Sequence, residues 1–126
     1  MAALSIEILF SSAVKLFLVE EHSISLTFTP DGIRIRFPTT RRLAEYLNVP
    51  HYYILPYFAM MEEQELVTRA ERVGILTTKT GSERMIRIME TQFPEESIAL
   101  LGPEIFRSVC TPLDKIQSSS DTPQAH

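Results

Sequence analysis

Apolar residues near the start of the chain fall at helical intervals. Ile6, Leu9, Phe10, Ala13, Val14 and Phe17 recur at i, i+3, i+4, i+7, i+8 and i+11, which predicts an amphipathic helix within residues 1–22. Leu4, Ile8, Leu16, Leu18 and Val19 add apolar surface on other sides of the same helix. That excess calls for a second buried face. It is supplied either by another copy of the chain, giving a homodimer through the N-terminal helix, or by a domain that wraps the helix as its central element.

The period then changes from helical to alternating. Ile24, Leu26 and Phe28 share one side of a strand, with Ser25, Thr27 and Thr29 opposite. Pro30-Asp31-Gly32 makes a turn, and Ile33, Ile35 and Phe37 return on one side with Arg34 and Arg36 on the other. Residues 23–37 therefore read as a β-hairpin with one apolar and one polar face. The two arginines suit phosphate contact or a solvated sheet surface.

Pro38 ends the strand, and Thr39 or Thr40 can cap a helix through Arg41-Arg42-Leu43-Ala44-Glu45-Tyr46-Leu47-Asn48, with Leu43, Ala44 and Leu47 inward. Asn48-Val49-Pro50 forms a tight turn, and Pro50 suits the first position of a second helix, about His51 to Glu65. Ile54, Tyr57 or Phe58, and Met61 would point to the core, while Glu62, Glu63 and Glu65 form a solvated end. Leu66 to Met89 reads as strands, with a second hairpin from Ile75 turning at Gly81-Ser82, Ile86 and Ile88 inward and Arg87 outward. Pro94-Glu95-Glu96 opens a short helix through Leu101, stopped by Gly102, and Pro103 begins another turn or two through Ile105, Phe106 and Val109. Residues 111–126 are polar and Ser-rich and are expected to be a disordered tail.

The stretch from Thr39 to Met89 resembles the winged helix-turn-helix domains of bacterial transcription regulators of the multiple-antibiotic-resistance-regulator type. Leu43-Ala44 fills the Leu-Ala place of that pattern, Leu47 the next core position, and Asn48-Val49-Pro50 stands where Gly-Val-Ser is usual. Ile54, Tyr57, Phe58 and Met61 take the buried positions of the recognition helix, and Leu66-Val67 follows where the wing opens. With the flanking elements read from the residue pattern, this gives a single α+β domain over residues 1–110: a helix (1–22), a hairpin (23–37), a winged helix-turn-helix (39–89) and C-terminal helices (90–110). The resemblance implies a transcription regulator that binds double-stranded DNA with a helix in the major groove, and the apolar excess of the first helix suits a dimeric one. Carried over, the DNA-contacting positions are Thr40, Arg41 and Arg42 on the first helix of the pair, and His51, Tyr52 and Tyr53 at the front of the second. Lys79 and Arg84 would lie at the tip of the wing, with Arg69 and Arg72 near its entrance.

Base readout, however, asks for Arg, Lys, Asn, Gln, Ser or Thr. Leu55 and Pro56 cannot hydrogen-bond through their side chains, and Pro56 removes an amide from the helix. The alternative is that the outer side of this helix takes a protein partner, since exposed Tyr, Leu and Met are typical of protein-binding surfaces. Charge does not decide between the two. The chain is acidic, with formal net charge -4, and residues 38–90 balance seven basic against seven acidic side chains, so a DNA face would require the acids to be segregated.

Other chemistry finds little footing. His22, His51 and His126 are far apart in sequence, and Cys110 has no second thiol to join it, so neither metal-ligand spacing nor an intrachain disulfide is available. The four glycines form no phosphate-binding loop, and the acidic pairs Glu20-Glu21, Glu62-Glu63 and Glu95-Glu96 fall at helix ends. No catalytic residue and no cofactor is expected. The apolar start carries Glu7 and Lys15 and no stretch reaches the ~18 apolar residues of a membrane span, which points to an intracellular, cytoplasmic protein.

Overall fold

The computed structural model describes residues 3–111. Its first helix, α1 (Ile6–Lys15), starts where Ser5 caps it by accepting from the Ile8 amide, and it buries Leu9, Phe10, Ala13 and Val14. Helix α1 runs directly into a π-helical turn, Leu16–Glu21, which ends at His22 in the left-handed region with φ 52°. The wider turn lets Leu16 and Leu18 both stay buried beyond the end of α1. Helix α1 packs against two later helices, and Leu4, Ile6, Phe17 and Val19 are partly buried against the same core.

Strands β1 (Leu26–Thr29) and β2 (Gly32–Phe37) form the expected hairpin, in register from Leu26↔Ile35 to Thr29↔Gly32. Ile33, Ile35 and Phe37 are buried. Phe28 departs from expectation. It shares the core side of the sheet with its partner Ile33, yet it is 61% exposed, because β1 is an edge strand that extends past the helices covering the centre of the sheet.

Helix α2 (Thr40–Leu47) is capped by Thr39, whose hydroxyl accepts from the Arg42 amide, and it ends at Asn48 in the left-handed conformation (φ 58°) that Asn tolerates. Helix α3 (His51–Glu63) begins after Pro50, which serves as its N-cap residue and not as its first helical residue; two residues beyond the helix, Glu65 turns the chain with φ 60°. Ile54, Phe58 and Met61 are buried as the spacing requires.

The second hairpin lies earlier in the chain than the sequence implied. It is formed by β3 (Val67–Ala70) and β4 (Gly74–Thr77), with register Val67↔Thr77 to Ala70↔Gly74, and it turns through Glu71-Arg72-Val73. The expected strand across Gly81-Ser82 is instead helix α4 (Lys79–Gln92). Strand β4 also pairs with β2, at Arg36↔Leu76 and Phe37↔Ile75, giving a four-stranded antiparallel sheet ordered β1-β2-β4-β3. Helix α5 (Pro94–Leu101) and helical residues 103–111 close the described chain, burying Phe106, Val109 and Cys110 in the same core. The architecture is α+β. Apart from Thr111, the polar tail lies outside the described residues.

The misread Gly81-Ser82 pair has a definite structural role. Gly-Ser after Thr-Lys-Thr imitates a hairpin turn, but Gly81, Ser82, Met85, Ile86 and Met89 form the buried stripe of a helix. Thr78 caps that helix by accepting from the Gly81 amide, and its own hydroxyl donates to the Glu65 carbonyl. Small residues are needed because the first turn of α4 sits on the β3 entrance: a Cβ on Gly81 would lie 1.9 Å from the Leu66 carbonyl oxygen. Beside it, Thr77 Oγ1 accepts from the Ile35 amide at 2.9 Å and hydrogen-bonds Ser82 Oγ. Thr77 is fully buried, so this hydroxyl satisfies a main-chain donor at the point where the β2–β4 ladder stops.

Two outcomes follow for stability. Gly81→Ala would ordinarily favour a helix, but here the clash with backbone is expected to reverse the sign and cost about 1–3 kcal/mol in a urea titration. Thr77→Val keeps the shape and removes the acceptor, and is expected to cost about 1–3 kcal/mol through the orphaned Ile35 amide, read as a lowered midpoint at unchanged slope.

Candidate functional site

Helix α3 presents two opposite faces of the same chemical character. Inward, Ile54, Phe58 and Met61 lock it to the core. Outward, Tyr52, Leu55, Pro56, Ala59 and Met60 recur at i, i+3, i+4, i+7 and i+8, and all five are exposed. Tyr52 is 67% and Leu55 41% accessible. Tyr53, also exposed, sets its ring edge-on to Tyr52 with centroids 5.0 Å apart and planes at 78°, which holds both rings out from the helix front as a pair. The outer stripe carries no charge until Glu63. Pro56 is inside the helix, so position 56 gives no N–H to the Tyr52 carbonyl. Tyr52 is exposed, and water can reach that end of the helix.

The neighbouring turn between α2 and α3 adds polar groups. Thr40 Oγ1 and His51 Nε2 are hydrogen-bonded at 2.7 Å, tying the first residue of α2 to the first residue of α3. Arg41, Glu45, Asn48, Pro50 and His51 line a shallow hollow of about 420 Å³ there. Five of the expected contact residues, Thr40, Arg41, His51, Tyr52 and Tyr53, thus gather at one end of the α2–α3 pair.

The other three do not join them. Arg42 turns away, its Nε 2.9 Å from Glu21 at the end of the π-helical turn, with Glu45 at 3.9 Å. Lys79 and Arg84 are on α4, not on a hairpin tip. The stem of Lys79 lies beside Gly32 in the β1–β2 turn, and the Arg84 guanidinium stands 5.7 Å over the Phe10 ring on α1. The true tip of the second hairpin offers Arg72, exposed and with φ 67°, and Val73. Arg69, on β3, is paired with Glu62 at the end of α3, Nε to Oε2 3.1 Å. Ala59 was the outer-stripe member not singled out from sequence; counting seven residues on from Tyr52 finds it.

Among the described residues no group of three or more His, Cys, Asp or Glu could hold a metal ion, and no helix is long and apolar enough to cross a membrane. Cys110 is buried in the core, and His126 lies outside the described residues.

Pro56 opposes stability where it stands. Pro56→Ala restores an amide to a regular helix interior and is expected to raise stability by about 1–3 kcal/mol, measured as an upward shift of the thermal midpoint. An unchanged or lowered midpoint would show that the proline fits this helix without cost. Comparison of the chain with protein-family models, with curated proteins and with solved structures finds no match.

Proposed function

We propose that the chain is a winged helix-turn-helix domain that acts as a protein-interaction module, taking its partner on the outer face of α3. The order β2, α2, tight turn, α3, hairpin β3–β4, with β2 laid against β4, is compatible with that fold; the first helix, β1 and the C-terminal helices are additions to it. The functional reading is carried by one observation: the outer stripe of α3 is continuous in Tyr52, Leu55, Pro56, Ala59 and Met60 and holds no cation. Inserted into a major groove, that stripe would leave base edges without partners. Against a protein it offers two rigid tyrosines and a leucine. Aromatic anchors of this kind dominate interface energies, and fully burying one Leu side chain contributes about 2 kcal/mol. The partner that fits is an apolar groove with a basic rim on the side of Glu63 and Glu65, since Glu62 is already engaged by Arg69.

A second reading, a DNA-binding transcription regulator, draws on the Thr40, Arg41, His51 cluster at the α2–α3 turn and on the exposed Arg72 at the hairpin tip. There Tyr52 and Tyr53 would bond phosphates, and the acids of α3 would sit at its far end.

The readings separate on salt. Anisotropy of a labelled mixed-sequence duplex is expected to stay flat on adding the protein, even at low ionic strength. A regulator using several phosphates would bind at low salt, lose about two or more orders of magnitude in affinity near 0.2 M, and weaken further on Arg41→Ala. In parallel, a Tyr52→Asp, Leu55→Asp double variant is expected to lose a partner that the wild-type protein retains in affinity purification, with its thermal midpoint unchanged because both side chains are exposed. Retention of that partner by the variant would move the docking surface elsewhere.

A further inference from the structure

The two edges of the sheet are built on opposite principles. The β3 edge is charged: Arg69 on the strand is paired with Glu62, and Glu65, Glu71 and Arg72 flank it. Charges on an edge strand are the usual device that stops it from pairing with another chain. The β1 edge carries no charge; its only such devices are its shortness, four residues, and Pro30 just past its end. Residues 23–30 read Ser-Ile-Ser-Leu-Thr-Phe-Thr-Pro, without a charge; the pairing with β2 runs unbroken from Leu26 to Thr29, without a bulge; and among the described residues β1 packs chiefly against β2. Phe28, on this edge, is 61% exposed.

The direction of the main-chain groups follows from one hydrogen bond. The Arg36 amide donates to the Ser25 carbonyl at 3.0 Å. Bonded and non-bonded pairs alternate along an antiparallel ladder, so Ser25, Thr27 and Thr29 turn their N–H and C=O groups toward β2. Leu26 and Phe28 turn theirs to the open side. The Ile35 amide obeys the same parity, since it faces away from β1 and donates to Thr77 Oγ1.

We propose that β1 pairs with β1 of a second copy of the chain, antiparallel, about a two-fold axis at Thr27. In that register Leu26 of each copy lies opposite Phe28 of the other. Each such pair exchanges both main-chain bonds, and the exposed Phe28 ring gains a Leu beside it on the same face. The segment suits itself as a partner: it is uncharged throughout, and Pro30, which has no N–H, ends the ladder one step beyond the pairs that matter. The asymmetry of the sheet argues for a second copy over an open series. With one bare edge and one charged edge, pairing closes at two chains, leaving an eight-stranded sheet whose outer strands are the protected β3 edges. Four-residue strands cover less than the ~800 Å² per partner of a standard interface, so the association is concentration-dependent.

Sedimentation velocity from about 10 μM to 1 mM is expected to show the mass rising toward twice the monomer value. Over the same range, amide exchange at Leu26 and Phe28 is expected to slow by about tenfold while Thr27, already bonded to β2, is unaffected. Phe28→Lys, at an exposed position, is expected to keep the circular dichroism and melting of the wild type and to remain monomeric throughout. Tyr52→Lys on α3 is expected to leave the dimer intact. The proposal is overturned by a monomeric wild type at 1 mM, by a Phe28→Lys variant that still doubles its mass, or by loss of the dimer in Tyr52→Lys. It is equally overturned if Leu26 and Phe28 become protected only when a different protein is added.

Discussion

Phe37 lies between two other rings, and the rest of the core is arranged around that contact. Its centroid is 5.1 Å from Phe10 on α1, with the rings tilted at 56°, and 5.7 Å from Phe58 on α3, edge to face at 73°. The Arg84 guanidinium of α4 then covers Phe10. One column of side chains therefore fixes the distances between β2 and three helices. Each aromatic pair contributes about 0.5–1.5 kcal/mol beyond its buried area, but the larger effect is geometric. Phe37 is the last residue of β2, directly before Pro38 and the Thr39 cap, so the column also sets the angle at which the chain leaves the sheet for α2. The outer stripe of α3 is held outward because Phe58 is held inward.

Most of this arrangement was legible in the residues. Wherever one period dominated, the element was found: the 3.6 spacing of Ile6 to Phe17, the alternation of Ile33, Ile35 and Phe37, and the Thr39 cap before Leu43-Ala44. Failures came where two signals shared the same residues. Met85, Ile86, Ile88 and Met89 satisfy both an alternating and a helical pattern, and Gly81-Ser82 supplied a plausible turn. The contact that decides for a helix, the Leu66 carbonyl pressed against the space above Gly81, joins positions far apart in the chain, and no local pattern encodes it. Lys79 and Arg84 were misplaced by the same error, since they were assigned to a hairpin tip that is the first turns of a helix. Arg42 is a different case: it sits at the start of its helix as expected, but it is paired with Glu21, a partner from another element that no local pattern announces. Phe28 was placed on the correct side of the sheet, yet side alone does not give burial at an edge.

The surface divides into regions of contrasting chemistry that the sequence composition averages away. The α3 stripe and the β1 edge are uncharged, while charges gather on β3, at the end of α3 and along α4. An overall acidic balance says little about either uncharged region. Each of them meets the solvent with groups that gain from being covered: ring and aliphatic area on α3, main-chain donors and acceptors on β1.

The cap at Thr78 bears on how the molecule comes apart. Its amide donates to Leu66, its hydroxyl to Glu65, and the same hydroxyl receives Gly81. A helix normally frays first at its ends, where the ladder of bonds is incomplete. Here the front of α4 cannot loosen without also freeing the loop that carries the chain from α3 into β3. The tip of the second hairpin has no such attachment; Glu71, Arg72 and Val73 are exposed and held mainly by their own turn. Opening should therefore begin at that tip and reach α4 only with the sheet itself, so that α3, the sheet and α4 are lost together in one cooperative step.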